Sequence, residues 1–187
     1  MDRRALQHGA LLFLLLLAFA VRLVGLTSQS LWRDEVDALR FSQEPLANLG
    51  TNFFRIGWNG PLYYVLLRLW VYATGQSAFA LRYLYLCAGV LGIALIYRMG
   101  RSSFTPLVGG LSALLMACSP YMIWYSQEVK MYALLCAVAL ATLCLYRRAL
   151  RGGGWLLWLI VLILVWIVIT LHIMGGLVVL VMALQYA

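Results

Sequence analysis

The chain has 187 residues, of which 65% are apolar and 11% charged, and its mean hydropathy is +0.92. Repeated apolar runs at that hydropathy exclude a soluble globule and place the chain in the all-α, polytopic membrane class. A formal charge of +8 would suggest nucleic acid in a soluble domain. Here, however, the arginines (Arg3 and Arg4; Arg98 and Arg101; Arg147, Arg148 and Arg151) cap apolar runs, the positive-inside pattern of a protein whose partner is lipid, not nucleic acid.

The first apolar run covers about residues 9–27. Its leucines, preceded by Arg3 and Arg4 and followed by Ala18-Phe19-Ala20, mimic a cleavable signal peptide. The apolar character continues through Val21, Leu23, Val24 and Leu26 to bilayer length, so a retained signal anchor is expected, with the N-terminus cytoplasmic. Directly after it, residues 31–44 hold four of the six acidic residues: Asp34, Glu35, Asp37 and Glu44. A carboxylate at a bilayer surface is costly to bury and easy to omit, which makes this cluster a functional candidate. Residues 34–43 read as a short amphipathic helix with Val36, Leu39 and Phe41 toward lipid, and Asp34 and Asp37 on one face.

Residues 61–74 begin like a helix, with Asn59 as a cap and Pro61 in the first turn, and Arg68 falls in the middle. Fourteen residues rise only about 21 Å, short of a hydrocarbon core of about 30 Å. If this segment spanned the membrane, two of the three basic clusters would face outward. Lying along the interface, with its tyrosines and Trp70 at headgroup depth, it leaves all three cytoplasmic and collects Asp34, Glu35, Asp37, Glu44 and Glu128 outside. The interfacial reading is the expectation. Further spans are read at about 79–98, 106–120, 128–147, 155–171 and 173–187, giving a single transmembrane module over 1–187 with an outer loop at 28–78. Arg55, Arg68 and Arg82 fall in that loop or beside it, Arg68 being expected to snorkel to lipid phosphate. Cys87, Cys118, Cys136 and Cys144 read as small core residues without metal-ligand spacing. The chain ends inside an apolar run, so a C-terminal remainder is expected.

Three ordered stretches carry a resemblance. Trp32-Arg33-Asp34-Glu35 resembles the Asp-Glu motif in the first outer loop of polytopic glycosyltransferases that use lipid-phosphate sugars (GT-C type), the group of protein O-mannosyltransferases and bacterial aminoarabinose transferases. Asn59-Gly60-Pro61-Leu62-Tyr63-Tyr64 is similar to that group's His/Lys-Pro-Pro-Leu-Tyr-Tyr entry to a juxtamembrane helix, with asparagine where a basic residue is usual. Ser119 to Tyr132 resembles the bacterial Ser-Pro…Trp-Tyr-Ser-Gln-Glu-Ala-Arg-Met-Tyr box, with Lys130, the only lysine among fourteen basic residues, in place of arginine. That exchange keeps a point charge and loses the bidentate fork.

The resemblance implies transfer of a sugar, with inversion, from polyprenyl phosphate to a lipid, glycan or protein acceptor outside the cytoplasmic membrane. It implies Asp34 as the general base, with Glu35 beside it. A hydroxyl attacking at neutral pH needs such a base, which typically contributes about 10² to 10⁴ in rate. Cationic groups should stabilise the departing phosphate. Candidate substrate contacts are Gln127, Glu128, Lys130, Tyr132, Arg55, Asn59, Tyr63 and His172. No cofactor is required on this reading, and no metal-ligand spacing surrounds Asp34 or Glu128. Plainer roles stand beside these: Asp34 as a helix cap, Glu128 in an ion pair, His172 as a helix-end residue. The competing classes are a transporter or lipid-handling helper and an inactive fragment. Transporters place charge at midplane on repeated broken helices, whereas the acids here sit in outer segments and no repeat is present.

Overall fold

The computed structural model describes residues 3–51 and 60–186, and Arg55 and Asn59 lie outside the described residues. All regular structure among the described residues is helical. In chain order the helices are α1 (Arg3–Leu23), α2 (Arg33–Ser42), α3 (Leu46–Thr51), α4 (Pro61–Thr74), α5 (Ala78–Ser103), α6 (Pro106–Cys118), α7 (Pro120–Ser126), α8 (Tyr132–Leu150), α9 (Trp155–Leu171) and α10 (Gly176–Tyr186). Helices α1, α5 and α8 are each long and apolar enough to cross a membrane, and α6 with α7 makes a fourth such stretch, bent by 63°. Helix α9 and the Ile173–Tyr186 stretch are apolar but shorter. The protein is an all-α polytopic membrane protein.

Helix α5 is the organising element, packing against α1, α4, α6, α7 and α8. Its approach to α6 is set by two glycines. A Cβ on Gly100 would stand 2.8 Å from the Cα of Gly109, and one on Gly109 would stand 2.7 Å from the Tyr97 carbonyl oxygen. Small residues at a crossing let helix backbones approach until dispersion replaces the hydrophobic drive that lipid does not supply. The α8 C-terminus returns to the α5 C-terminus, where Arg147 donates to Ser103 and Arg151 to the Ser102 carbonyl. Helices α5 and α8 therefore run parallel, with α6 and α7 as the return between them. Arg98, Arg101, Arg147, Arg148 and Arg151 share one end, and the loop with α2 to α4 lies at the other.

At that other end a buried cluster of Ala38, Leu49, Tyr63, Tyr64, Leu67, Leu81, Tyr85, Val129 and Leu171 ties α2, α3, α4, α5 and α9 together. Helix α4 is held at both ends. Gly60 donates to the Leu171 carbonyl at 3.0 Å, and a Cβ at Gly60 would fall 1.9 Å from the Thr170 oxygen. Only glycine lets the start of α4 lie directly on the α9 C-terminus.

Several local expectations are corrected here. Tyr63 and Tyr64 are 0% and 1% exposed and turn into the protein and not toward lipid, because α4 is covered by α2, α5 and α9. The face α2 buries is Glu35, Ala38 and Ser42, with Leu39 and Phe41 turned onto the same core and only Val36 exposed. Arg68 does not snorkel: it donates to the Ser42 and Glu44 carbonyls and closes the C-terminus of α2. None of the four cysteines is fully buried, Cys87 and Cys118 being exposed.

Candidate active site

The Ser119-Pro120 pair breaks α6 from α7. Proline has no N–H to return to the Met116 carbonyl, and the bend separates Ala117 from its own partner. Arg22, at the last turn of α1 and 0% exposed, takes both oxygens: Nη2 donates to Met116 at 3.3 Å and Nη1 to Ala117 at 3.2 Å. Its Nε donates to Ser126 Oγ at 3.2 Å. Gln127 Nε2 in turn donates to the Arg22 and Val24 carbonyls at 2.9 and 2.8 Å. The end of α1 thus fixes where the 127–131 turn stands.

The neighbouring carboxylates of α2 diverge from there. Glu35 is fully buried. Its oxygens accept four hydrogen bonds, from Arg82 Nε at 2.9 Å, Arg82 Nη2 at 2.6 Å, Val129 N at 2.9 Å and Trp32 N at 3.2 Å. Arg82 fills its remaining donors with the carbonyls of Leu26, Gln29 and Ser30. This bidentate pair clamps the segment after α1, the start of α2 and the 127–131 turn onto α5, and each of its charges is saturated. Asp34, by contrast, has a half-exposed side chain and meets Lys130 Nζ at 3.1 Å. The Asp-Glu motif and the 119–132 box therefore meet at one end of the bundle. A spanning α4 would have left them at opposite ends.

Glu128 is 7% exposed, and its Oε1 has no hydrogen-bond partner. Burial raises its pKa above the usual 4.5. Glu35 and Asp34 push the same way, against hydrogen bonding to Trp124 and the charge of Lys130. It lines a cleft of about 440 Å³ with Ser28, Gln29, Trp32, Trp124 and Gln127. Tyr132 opens α8 beside this group, half-exposed, its ring centroid 4.6 Å from that of Tyr125.

Two other candidates hold backbone groups. The Tyr63 hydroxyl donates to the Val129 carbonyl at 2.8 Å from a fully buried position, so it supports the turn from beneath. His172 caps the short 3₁₀ turn Ile173–Gly175, its Nδ1 accepting from Met174 N at 3.1 Å, and burial lowers its pKa and keeps the ring neutral. Sequence reasoning did not single out Arg22, and placed Arg82 on the outer side without finding its partner. The available signal was an arginine inside the first apolar run, where a cation needs a partner.

A membrane-embedded helical module that gathers a half-exposed carboxylate, a lysine and a buried carboxyl at one end has the parts of a group-transfer site. Residues 59–187 match the dolichyl-phosphate-mannose-protein mannosyltransferase family, and the chain belongs to it. It is a membrane glycosyltransferase of the GT-C type. No curated protein and no solved structure matches the chain. The matched stretch contains Glu128, Lys130 and Tyr132, whereas Asp34 and Glu35 precede it.

Proposed function

We propose that this chain transfers a monosaccharide from a polyprenyl-phosphate donor to a hydroxyl acceptor at the outer face of the cytoplasmic membrane, with Asp34 as general base. The observation that carries the reading is the Asp34–Lys130 contact of 3.1 Å beside the buried Glu128. The acceptor oxygen attacks the anomeric carbon as the bond from that carbon to the phosphate oxygen breaks. The bonding pair leaves on polyprenyl phosphate, and the acceptor proton passes to Asp34.

Lys130 has a double use in this scheme. A donor phosphate competes with Asp34 for the ammonium, which frees the carboxylate and stabilises the charge that develops on the leaving group. Gln127, Glu128 and Tyr132 border the reacting groups. Glu35 and Tyr63 act as positioning residues, since the first has both oxygens occupied and the second is buried beneath the turn.

The test is mannosyl transfer from decaprenyl-phosphate mannose by purified protein in lipid nanodiscs. Asp34→Asn is expected to lower kcat by about 10² to 10⁴ with donor binding retained. Near-normal turnover by that variant would remove the base assignment.

A further inference from the structure

The cleft bounded by Trp32, Trp124 and Glu128 contains a cost that the protein alone does not offset. Glu128 is more than nine-tenths buried, and its Oε1 has no partner in the fold. A buried acceptor left unpaired costs about 1–3 kcal/mol, so such an atom in a functional cleft marks the place of a ligand donor. The chemistry of the walls narrows that ligand.

Among the described residues, the cleft has no available cation. Arg82 lines it, but all five of its N–H donors are taken, two by Glu35 and three by the carbonyls of Leu26, Gln29 and Ser30. A phosphate would find no free cationic donor in these walls, whereas Lys130, at Asp34, offers it an ammonium. Trp32 and Trp124, 47% and 57% exposed, present indole surface on the cleft walls. Indole faces carry partial negative charge. A pyranose ring has what these walls lack: C–H bonds on one face to lie against an indole, and hydroxyls at its rim to donate to a carboxyl oxygen. At about 440 Å³ the cleft is near the small end of ligand pockets, the scale of one sugar residue and not of an oligosaccharide.

We infer that the Trp32–Trp124–Glu128 cleft is the binding subsite for the neutral hexopyranose of the donor, with the donor phosphate lying outside it at Lys130. This rests on the glycosyl-transfer reading above and adds where each part of the donor goes. The two carboxylates divide the work: Glu128 receives a sugar hydroxyl, and Asp34 remains for the acceptor.

The test is equilibrium binding of tritiated probes to the protein in lipid nanodiscs: decaprenyl phosphate, decaprenyl-phosphate mannose and decaprenyl-phosphate glucose. At least one sugar-bearing probe should bind about tenfold tighter than the bare phosphate, the worth of one well-made hydrogen bond to a buried carboxyl. Trp124→Ala and Glu128→Gln should each reduce that advantage severalfold while leaving decaprenyl phosphate binding unchanged, which also reports an intact fold. Trp32→Ala on another wall should do the same, and Lys130→Met should weaken all three probes. Equal binding of bare and sugar-bearing probes by the wild type overturns the subsite and leaves the transfer reading standing. So does a loss in the cleft variants that is shared equally by all probes. If the wild type binds none of the three, the transfer reading falls with it.

Discussion

Asp34 and Glu35 are adjacent in sequence and opposite in circumstance because a helix turns about 100° per residue. One carboxylate points along the surface to Lys130 and the other inward to Arg82. Breaking a buried pair leaves an uncompensated charge, at a cost of about 3–5 kcal/mol. Glu35→Ala should therefore lower the thermal midpoint strongly, and the joint replacement of Glu35 and Arg82 by leucine should recover part of that loss. A midpoint in Glu35→Ala equal to wild type would show that the pair does not hold the segment. Glu128 makes a prediction with a definite sign. Its pKa is raised in the fold, so above pH 4.5 the unfolded chain releases this proton while the folded protein keeps it. Folded protein then binds more protons, and stability falls as pH rises through that window. Thermal unfolding between pH 4 and 8 should show this decline in wild type and a flatter profile in Glu128→Gln; parallel profiles would contradict it.

At the scale of elements, the site depends on a broken helix. Arg22 takes carbonyls that Pro120 and the bend leave without partners, and Ser126 and Gln127 follow from there. Arg22→Leu should leave two buried oxygens unpaired, at about 1–3 kcal/mol each. Arg22→Lys should restore less than the original, since one ammonium cannot reproduce the spread of a guanidinium fork. Thermal unfolding of the two variants in detergent measures this directly. The motif 119–132 and the short helix after Pro61 were legible because proline, serine and glycine mark boundaries locally. The partners of Arg22 and Arg82 were not, since they are backbone oxygens of α6 and of the segment after α1, and a glutamate 47 positions away. For α4, the sequence showed an apolar face but not what covers it. Tyr63 and Tyr64 meet α2 and the core of the bundle, not lipid headgroups, which no periodicity reveals.

Over the whole molecule, the acids of the described residues lie at one end and the arginines that close α5 and α8 at the other. Arg98, Arg101, Arg147, Arg148 and Arg151 gather where α5 and α8 finish, and Asp34, Glu35, Asp37, Glu44 and Glu128 gather where α5 and α8 start. The helical class and this sorting were both readable from composition and the order of apolar runs, because in lipid every backbone group must be satisfied within a helix. Positive residues favour the cytoplasmic side, and the proposed transfer requires the Asp34–Glu128 site at the opposite face. The most direct measurement is labelling of intact cells with a membrane-impermeant thiol reagent. Single cysteines at Gln29, Gln43, Gln76, Thr105 and Arg151 would be placed in a background freed of the four native thiols. The account predicts labelling at 29, 43 and 76 and protection at 105 and 151. Labelling at 105 and 151 with protection at 29, 43 and 76 would place the site in the cytoplasm and contradict transfer at the outer face.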